Sequence, residues 1–217
     1  MTQLTLASTS PRRRELLALL GLPFTLVAPD VDERPLLDET PVTLALRLAR
    51  AKAETVARDE PTGVVIAADT VVALGNEVLG KPVDAADAAR MLRALRGAAH
   101  DVFTGVAVAR GSQVWEEVVA SQVAMRPYTD AEIAAYVASG DPLDKAGAYA
   151  IQHPEFQPVA ELHGCYANVV GLPLCAVRRL LIQAGVAAPP SSIDACAPPT
   201  VCVVPSVSSP GAPAPDH

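Results

Sequence analysis

Leu4-Thr5-Leu6-Ala7-Ser8-Thr9-Ser10-Pro11-Arg12-Arg13-Arg14 is the stretch that decides the class of fold. A short apolar strand enters a turn of small hydroxyl residues. Ser10 then stands as an N-cap, Pro11 takes the first helical position, and Gly21 closes a helix over 11–20. A strand that feeds a helix through so tight a turn begins an α/β unit. The unpaired N–H groups and positive dipole end of such a helix favour an anion. Three arginines in the first turn have the wrong sign for an isolated helix, so the segment predicts a bound polyphosphate gripped by forked guanidinium donors. Surface pairing with Glu15 is the plainer alternative.

Outward from that turn, Phe24–Val27 reads as a strand and leads to the acidic stretch Asp30-Val31-Asp32-Glu33. Thr40-Pro41 opens a long helix to about Arg58. Val64–Ala68 predicts an apolar strand ending at Asp69, the strand end where α/β sheets place their sites. Val71–Leu79 reads as a hairpin around Gly75-Asn76. Asp84 caps a helix to about Arg96, and two long strands follow over His100–Ala109 and Val114–Met125. Thr129-Asp130-Ala131-Glu132 is a capping box. Tyr149-Ala150-Ile151 reads as a short strand and Pro173–Ala184 as the last helix. βα units combined with long hairpins predict an α/β protein with a mixed sheet. From 188 to 217 the chain is rich in Pro, Ser, Ala and Val with almost no charge, which predicts a disordered tail behind a domain spanning 1–187.

Composition narrows the function. The 217 residues are half hydrophobic and carry a net charge of −7, which argues against general affinity for nucleic acid polymers or anionic membranes. No apolar run approaches the roughly 20 residues that span a bilayer. Cys165, Cys175, Cys196 and Cys202 form no CxxC pair, which points to a reducing, cytoplasmic setting. Of the 17 basic residues only Lys52, Lys81 and Lys145 are lysine. In a chain that otherwise uses arginine, these are candidates for sites that need a compact ammonium.

Those lysines stand near other chemistry. Gly80-Lys81-Pro82 returns a lysine towards Asp69 one hairpin later, Glu33 follows the second strand, and Lys52 lies on the long helix. Lys145 and Gln152 flank the small-residue turn of Asp144-Lys145-Ala146-Gly147-Ala148-Tyr149-Ala150-Ile151-Gln152. Arg and Lys neutralise a triphosphate, while Glu33 and Asp69 suit a divalent cation and the activation of water. Phosphoryl chemistry needs mainly positioning and charge stabilisation, which this set supplies without a covalent nucleophile. The chain has no P-loop, no GxSxG elbow and no GxGxxG fingerprint.

With these residues laid out, the chain resembles the Maf family of nucleoside triphosphate pyrophosphatases. The likeness is carried by Leu6–Arg13, Ala68-Asp69-Thr70-Val71-Val72, Gly80-Lys81-Pro82, His100–Gly105, Asp144–Gln152 and Asn168-Val169-Val170-Gly171-Leu172-Pro173, in that order between Leu4 and Ala184. The resemblance implies an elongated two-lobed fold with a mixed twisted sheet, flanking helices and a site in the cleft between the lobes. It also implies cleavage between the α and β phosphates with a divalent metal, Mg²⁺ or Mn²⁺. Asp69 matches the family's proton acceptor; Ser8, Arg13, Glu33, Lys52 and Lys81 match residues around the phosphates and metal. Arg12, Thr70 and Gln152 match the positions that mark the dTTP/UTP branch. A homodimer is a further expectation.

Two other functions fit the same motifs. A regulatory module could bind nucleotide without turnover, but both Asp69 and Glu33 are retained. A sugar nucleotidyltransferase would release pyrophosphate by transfer, but the N-terminus lacks a Gly-rich nucleotide loop.

Overall fold

A computed structural model describes residues 3–60 and 62–188. The tail expectation for 189–217 lies outside the described residues; Ala188 itself is buried in the core. One seven-stranded mixed sheet runs in the order β2-β1-β3-β5-β6-β7, with β4 paired to β3. The strands are β1 (Leu4–Ala7), β2 (Thr25–Val27), β3 (Val64–Leu74), β4 (Glu77–Leu79), β5 (Ala99–Arg110), β6 (Gln113–Met125) and β7 (Val159–His163). The helices are α1 (Pro11–Ala18), α2 (Pro41–Ala57), α3 (Ala85–Leu95), α4 (Asp130–Ala138), α5 (Tyr166–Val170) and α6 (Leu174–Gln183). Among the described residues no helix is long and apolar enough to cross a membrane.

The capping chemistry acts as its residue types dictate. Ser10, Thr40, Asp84 and Thr129 each accept a backbone N–H at the start of α1, α2, α3 and α4, and Thr129 with Glu132 closes a reciprocal capping box. Two cores form towards opposite ends of the long strands. Leu6, Leu17, Ile66, Val108, Leu172 and Leu181 belong to one. Val72, Leu92, Val102, Tyr128, Ile133 and Phe156 belong to the other. These are the two lobes, and α2 lies over the opposite face of the sheet on Val65, Ala67 and Ala107.

β3 joins the lobes, and here the structure corrects the sequence reading. The strand does not end at Asp69 but continues to Leu74, pairing with β5 from Val65 to Ala73 without a break. Its other edge is shared: β1 pairs parallel with Val64–Ile66, and β4 pairs antiparallel with Val72–Leu74. Between them neither strand reaches Ala67–Val71. Asp69 therefore lies just past the end of the parallel segment, so the strand-end rule holds locally although the strand goes on.

Two further differences have physical causes. Tyr149-Ala150-Ile151 is not a strand, because the chain before it coils into 3₁₀ turns at Asp141–Asp144 and Ala146–Ala148, with Gly147 and Ala148 at φ of 69° and 58°. β7 and the five-residue α5, which the sequence did not suggest, form instead after it.

Candidate active site

A cleft of about 460 Å³ opens at the gap in the β3 edge. Its lining includes every candidate residue: Ser8, Arg12, Arg13, Glu33, Lys52, Asp69, Thr70, Lys81, Lys145 and Gln152. Adjacent strand residues point to opposite faces of a sheet, so Asp69 shares the α2 side with Val65 and Ala67, whereas Thr70 faces the α1 side. Both reach one cleft because the strand edge between them is open.

On the α2 side, Lys52 lies within a helical stripe of Leu44, Ala45, Leu48, Ala49, Ala53 and Val56. It is not a solvated surface lysine: its side chain is only 7% exposed. The ammonium donates to Asp69 Oδ1 at 2.5 Å and lies 2.5 Å from Glu33 Oε1. A buried charge is tolerated when paired in this way. Burial works to raise the Glu33 carboxyl, and the Lys52 bond with the charges of Lys81 and Arg13 outweighs it, leaving Glu33 below the usual carboxylate value. α2 can lie this close because Gly105, paired with Asp69 on β5, has no side chain; a Cβ there would sit 2.3 Å from the Ala45 carbonyl oxygen.

On the other face, Arg13 donates from Nε to the Gly171 carbonyl at 2.9 Å and from Nη2 to Thr70 Oγ1 at 3.2 Å. Thr104 spends its proton on the Asn168 carbonyl at 2.9 Å, so Thr70 donates to Thr104 across their 3.0 Å contact. The relay fixes Arg13 from behind. Burial pulls the Arg13 guanidinium below its ordinary value, more than Asp69 and Glu33 raise it, yet arginine stays a cation at neutral pH. Gly171 sits at φ 122°, a backbone conformation that residues with side chains rarely adopt, and a Cβ there would also meet Thr70 Oγ1 at a tight 3.2 Å.

At the turn itself, Ser8 Oγ accepts the Ser10 N–H at 3.1 Å, and Ser10 Oγ accepts that of Arg13. The Thr9 and Arg12 amides have no partner among the described residues, the arrangement that suits an anion at a helix start.

The opposite wall comes from 141–152. Gly147 N–H donates to the Gly80 carbonyl at 3.1 Å, which draws the Lys81 loop to the Lys145 turn. Lys145 is buried, bonded to Asp141 and to Asp144 Oδ1 at 2.7 Å. Asp144 also meets Arg12 Nη1 at 3.3 Å. Burial works to raise the Asp144 carboxyl, but Lys145 and Arg12 hold it low. Lys81 forms no ion pair among the described residues, and Gln152 lies exposed at the rim. Tyr149 lines the cleft with its hydroxyl 2.8 Å from the buried His100 Nε2.

Sequence reasoning gave no role to Thr104, Asn168, Gly171, Tyr149 or Asp144. All five fall in motifs already singled out, but what sets them apart is contact with other site residues or their neighbours, which only the fold reveals.

Residues 3–184 match the family of Maf-like proteins. The chain is 49% identical over 200 residues to the dTTP/UTP pyrophosphatase of Thermomicrobium roseum, covering 92% of this chain and 91% of that protein. It is 54% identical over 187 residues to the protein of the same name from Anaeromyxobacter dehalogenans strain 2CP-C, covering 84% and 94%. Among solved structures, the Ham1 protein of Staphylococcus aureus overlaps in part, with a TM-score of 0.42 and 14% identity over 58% of this chain and 73% of that one. Matched along nearly all of its described length, the chain belongs to the family of Maf-like proteins.

Proposed function

We propose that this chain hydrolyses dTTP and UTP between the α and β phosphates, releasing the nucleoside monophosphate and pyrophosphate. The observation that carries the reading is the convergence of the lysine-bridged carboxylates Glu33 and Asp69 with Arg13 and Lys81 in one cleft. The names of its half-identical relatives support the same choice of substrate. Arg12, Arg13, Lys52, Lys81 and Lys145 face Glu33, Asp69 and Asp144 along the cleft. With Asp141 behind Lys145 the set keeps one surplus positive charge, and Lys81, without an ion pair among the described residues, is the cation left to meet a phosphate.

Each residue then has a task. Lys81, Arg13 and the amides at the start of α1 bind the phosphates. Asp69 has one oxygen held by Lys52, which leaves the other to take a proton from water. The water oxygen bonds to the α phosphorus, the bond to the α–β bridging oxygen breaks, and Arg13 and Lys81 meet the charge on departing pyrophosphate. Thr70 acts through Arg13, to which its hydroxyl is tied, while Arg12 and Gln152, both in the cleft lining, are the residues that would contact the base.

Lys52 takes Oε1 of Glu33 and Oδ1 of Asp69, which leaves Glu33 Oε2 and the second lone pair of Asp69 Oδ2 to fit a divalent cation, and no group of three metal-type side chains forms among the described residues. A carboxylate pair completed by phosphate oxygens and water is the set that Mg²⁺ takes. Bound there, Mg²⁺ or Mn²⁺ would supply charge neutralisation and Lewis acidity. We further infer an enzyme of the cytoplasm that acts on free nucleotides rather than nucleic acid, as a homodimer.

The test is incubation of purified protein with Mg²⁺ and a panel of nucleoside triphosphates, with monophosphate and pyrophosphate measured. Absence of turnover with every triphosphate would refute the reading. Orthophosphate with diphosphate would show that the other bond is cut.

A further inference from the structure

Asp144 takes no part in the reaction as set out above, yet its carboxylate bridges the two walls of the cleft. Oδ2 meets Arg12 Nη1 of the α1 wall at 3.3 Å, and Oδ1 accepts from Lys145 of its own wall at 2.7 Å. Behind it the anchoring continues inward. Lys145 donates to the Asp141 carbonyl at 2.5 Å and to Asp141 Oδ1 at 2.9 Å. The Tyr136 hydroxyl donates to Asp141 Oδ2 at 2.6 Å and accepts the Ala150 N–H at 3.1 Å. Tyr136 in turn stacks on Phe156 with ring centroids 4.4 Å apart. The carboxylate is 61% exposed but is tethered to the interior of its lobe.

Arg12 is the less constrained partner. Asp144 is its one ion partner among the described residues, through a single contact, which leaves most of the guanidinium fork open. Arg13, its neighbour, is committed to Thr70 and Gly171. A guanidinium beside a bound triphosphate is drawn to the nearest phosphate unless another anion restrains it. A carboxylate fixed by a buried lysine is such an anion.

We propose that Asp144 is the positioning residue that keeps Arg12 at the cleft rim for the nucleobase and out of the phosphate set. The proposal rests on the dTTP/UTP reading above. It deepens that reading by giving base choice a cause outside the residues that touch the base.

The experiment compares wild type, Asp144→Asn and Asp144→Glu, each first checked for an unchanged melting temperature. Values of kcat and KM are measured for dTTP, UTP, dCTP and dGTP, and Ki is measured for inorganic triphosphate, which has no base. In Asp144→Asn the preference for dTTP over dCTP in kcat/KM falls about tenfold, as loss of one charge-assisted contact implies. Ki for triphosphate stays level or drops, because the cleft gains a positive charge. Asp144→Glu, which keeps the charge, recovers most of the preference. An unchanged preference overturns the proposal, and so does an equal loss on every nucleotide accompanied by weaker triphosphate inhibition. Should wild type turn over no triphosphate, the catalytic reading fails by itself. Calorimetric binding of dTTP against dCTP to wild type and Asp144→Asn then decides the role of Asp144, with an equal ratio in the two proteins overturning it.

Discussion

Gly105→Ala ties the packing of the sheet to the chemistry of the cleft. The added Cβ would lie 2.3 Å from the Ala45 carbonyl oxygen, 2.5 Å from its carbon and 2.8 Å from the Leu46 nitrogen. All three are backbone atoms inside α2, so no side-chain rotation relieves the clash. The helix must retreat by about 1 Å to reach ordinary contact. Two effects compete. Alanine for glycine at ordinary φ stabilises by about 0.4–1 kcal/mol through the unfolded chain, whereas overpacking a tight interface costs about 1–3 kcal/mol. The clash wins at its upper range, because lifting α2 also parts Leu44 and Leu48 from Val71. A net loss of about 2 kcal/mol lowers the melting temperature of a chain of this size by roughly 4–8 °C. The same retreat moves Lys52, two turns further along α2, away from Asp69 and Glu33, whose contacts with it are 2.5 Å. Turnover of dTTP therefore falls by about tenfold or more. Scanning calorimetry and initial rates read the two effects. A variant that melts and turns over like wild type would refute the close approach of α2 to β5.

Other substitutions isolate other links. Asp69→Asn should lose about 10²–10⁴-fold in turnover while still binding dTTP in calorimetry; near-normal rates would remove Asp69 as the base. Thr104→Val strips the donor to Asn168 and the acceptor of Thr70, costing about 1–2 kcal/mol in urea unfolding and raising KM for dTTP several-fold. Reduced stability with KM unchanged would show that the relay does not govern Arg13. Burial holds His100 down to about 4 from its ordinary 6.5, so the unfolded chain binds the extra proton between those values. Stability is full above pH 6.5 and falls towards pH 4 by about 3 kcal/mol from this group. His100→Gln should flatten that fall in urea midpoints measured between pH 7 and 4.5; an unaltered slope would refute the assignment.

Much of this was legible in the sequence because it depends on local chemistry. Ser10-Pro11, Thr40-Pro41, Asp84 and Thr129 start their helices wherever they stand, and the long strands β5 and β6 announce themselves by composition. The candidate residues that line the cleft were legible as motif members. The burial of Lys52 is legible as well: its place in the Leu44–Val56 stripe is visible by helical spacing and marks a buried charge. What stayed hidden depends on partners distant in sequence. Asp69 and Thr70 look like a strand end, but β5 carries the strand through them by pairing on the far side. Tyr149–Ile151 has strand composition, but two successive residues at positive φ coil the chain just before it. Asp144 stood in a recognised motif, and nothing short of its contact with Arg12, 132 positions away, gives it a task.

The uninterrupted pairing of β3 with β5 across the site has a mechanical consequence. A strand bonded along its length from Val65 to Ala73, with its two ends in different cores, behaves as a beam and not as a hinge. Asp69 and Thr70, at its midpoint, keep a fixed spacing whatever the nucleotide does. Changes in cleft width therefore belong to what surrounds the beam: the 28–40 loop bearing Glu33, the Lys81 loop and the 141–152 turns. Amide exchange should be slow at the β3 amides that bond to β5 and faster in those three segments, so that the floor would hold the reacting geometry while the walls admit substrate and release products.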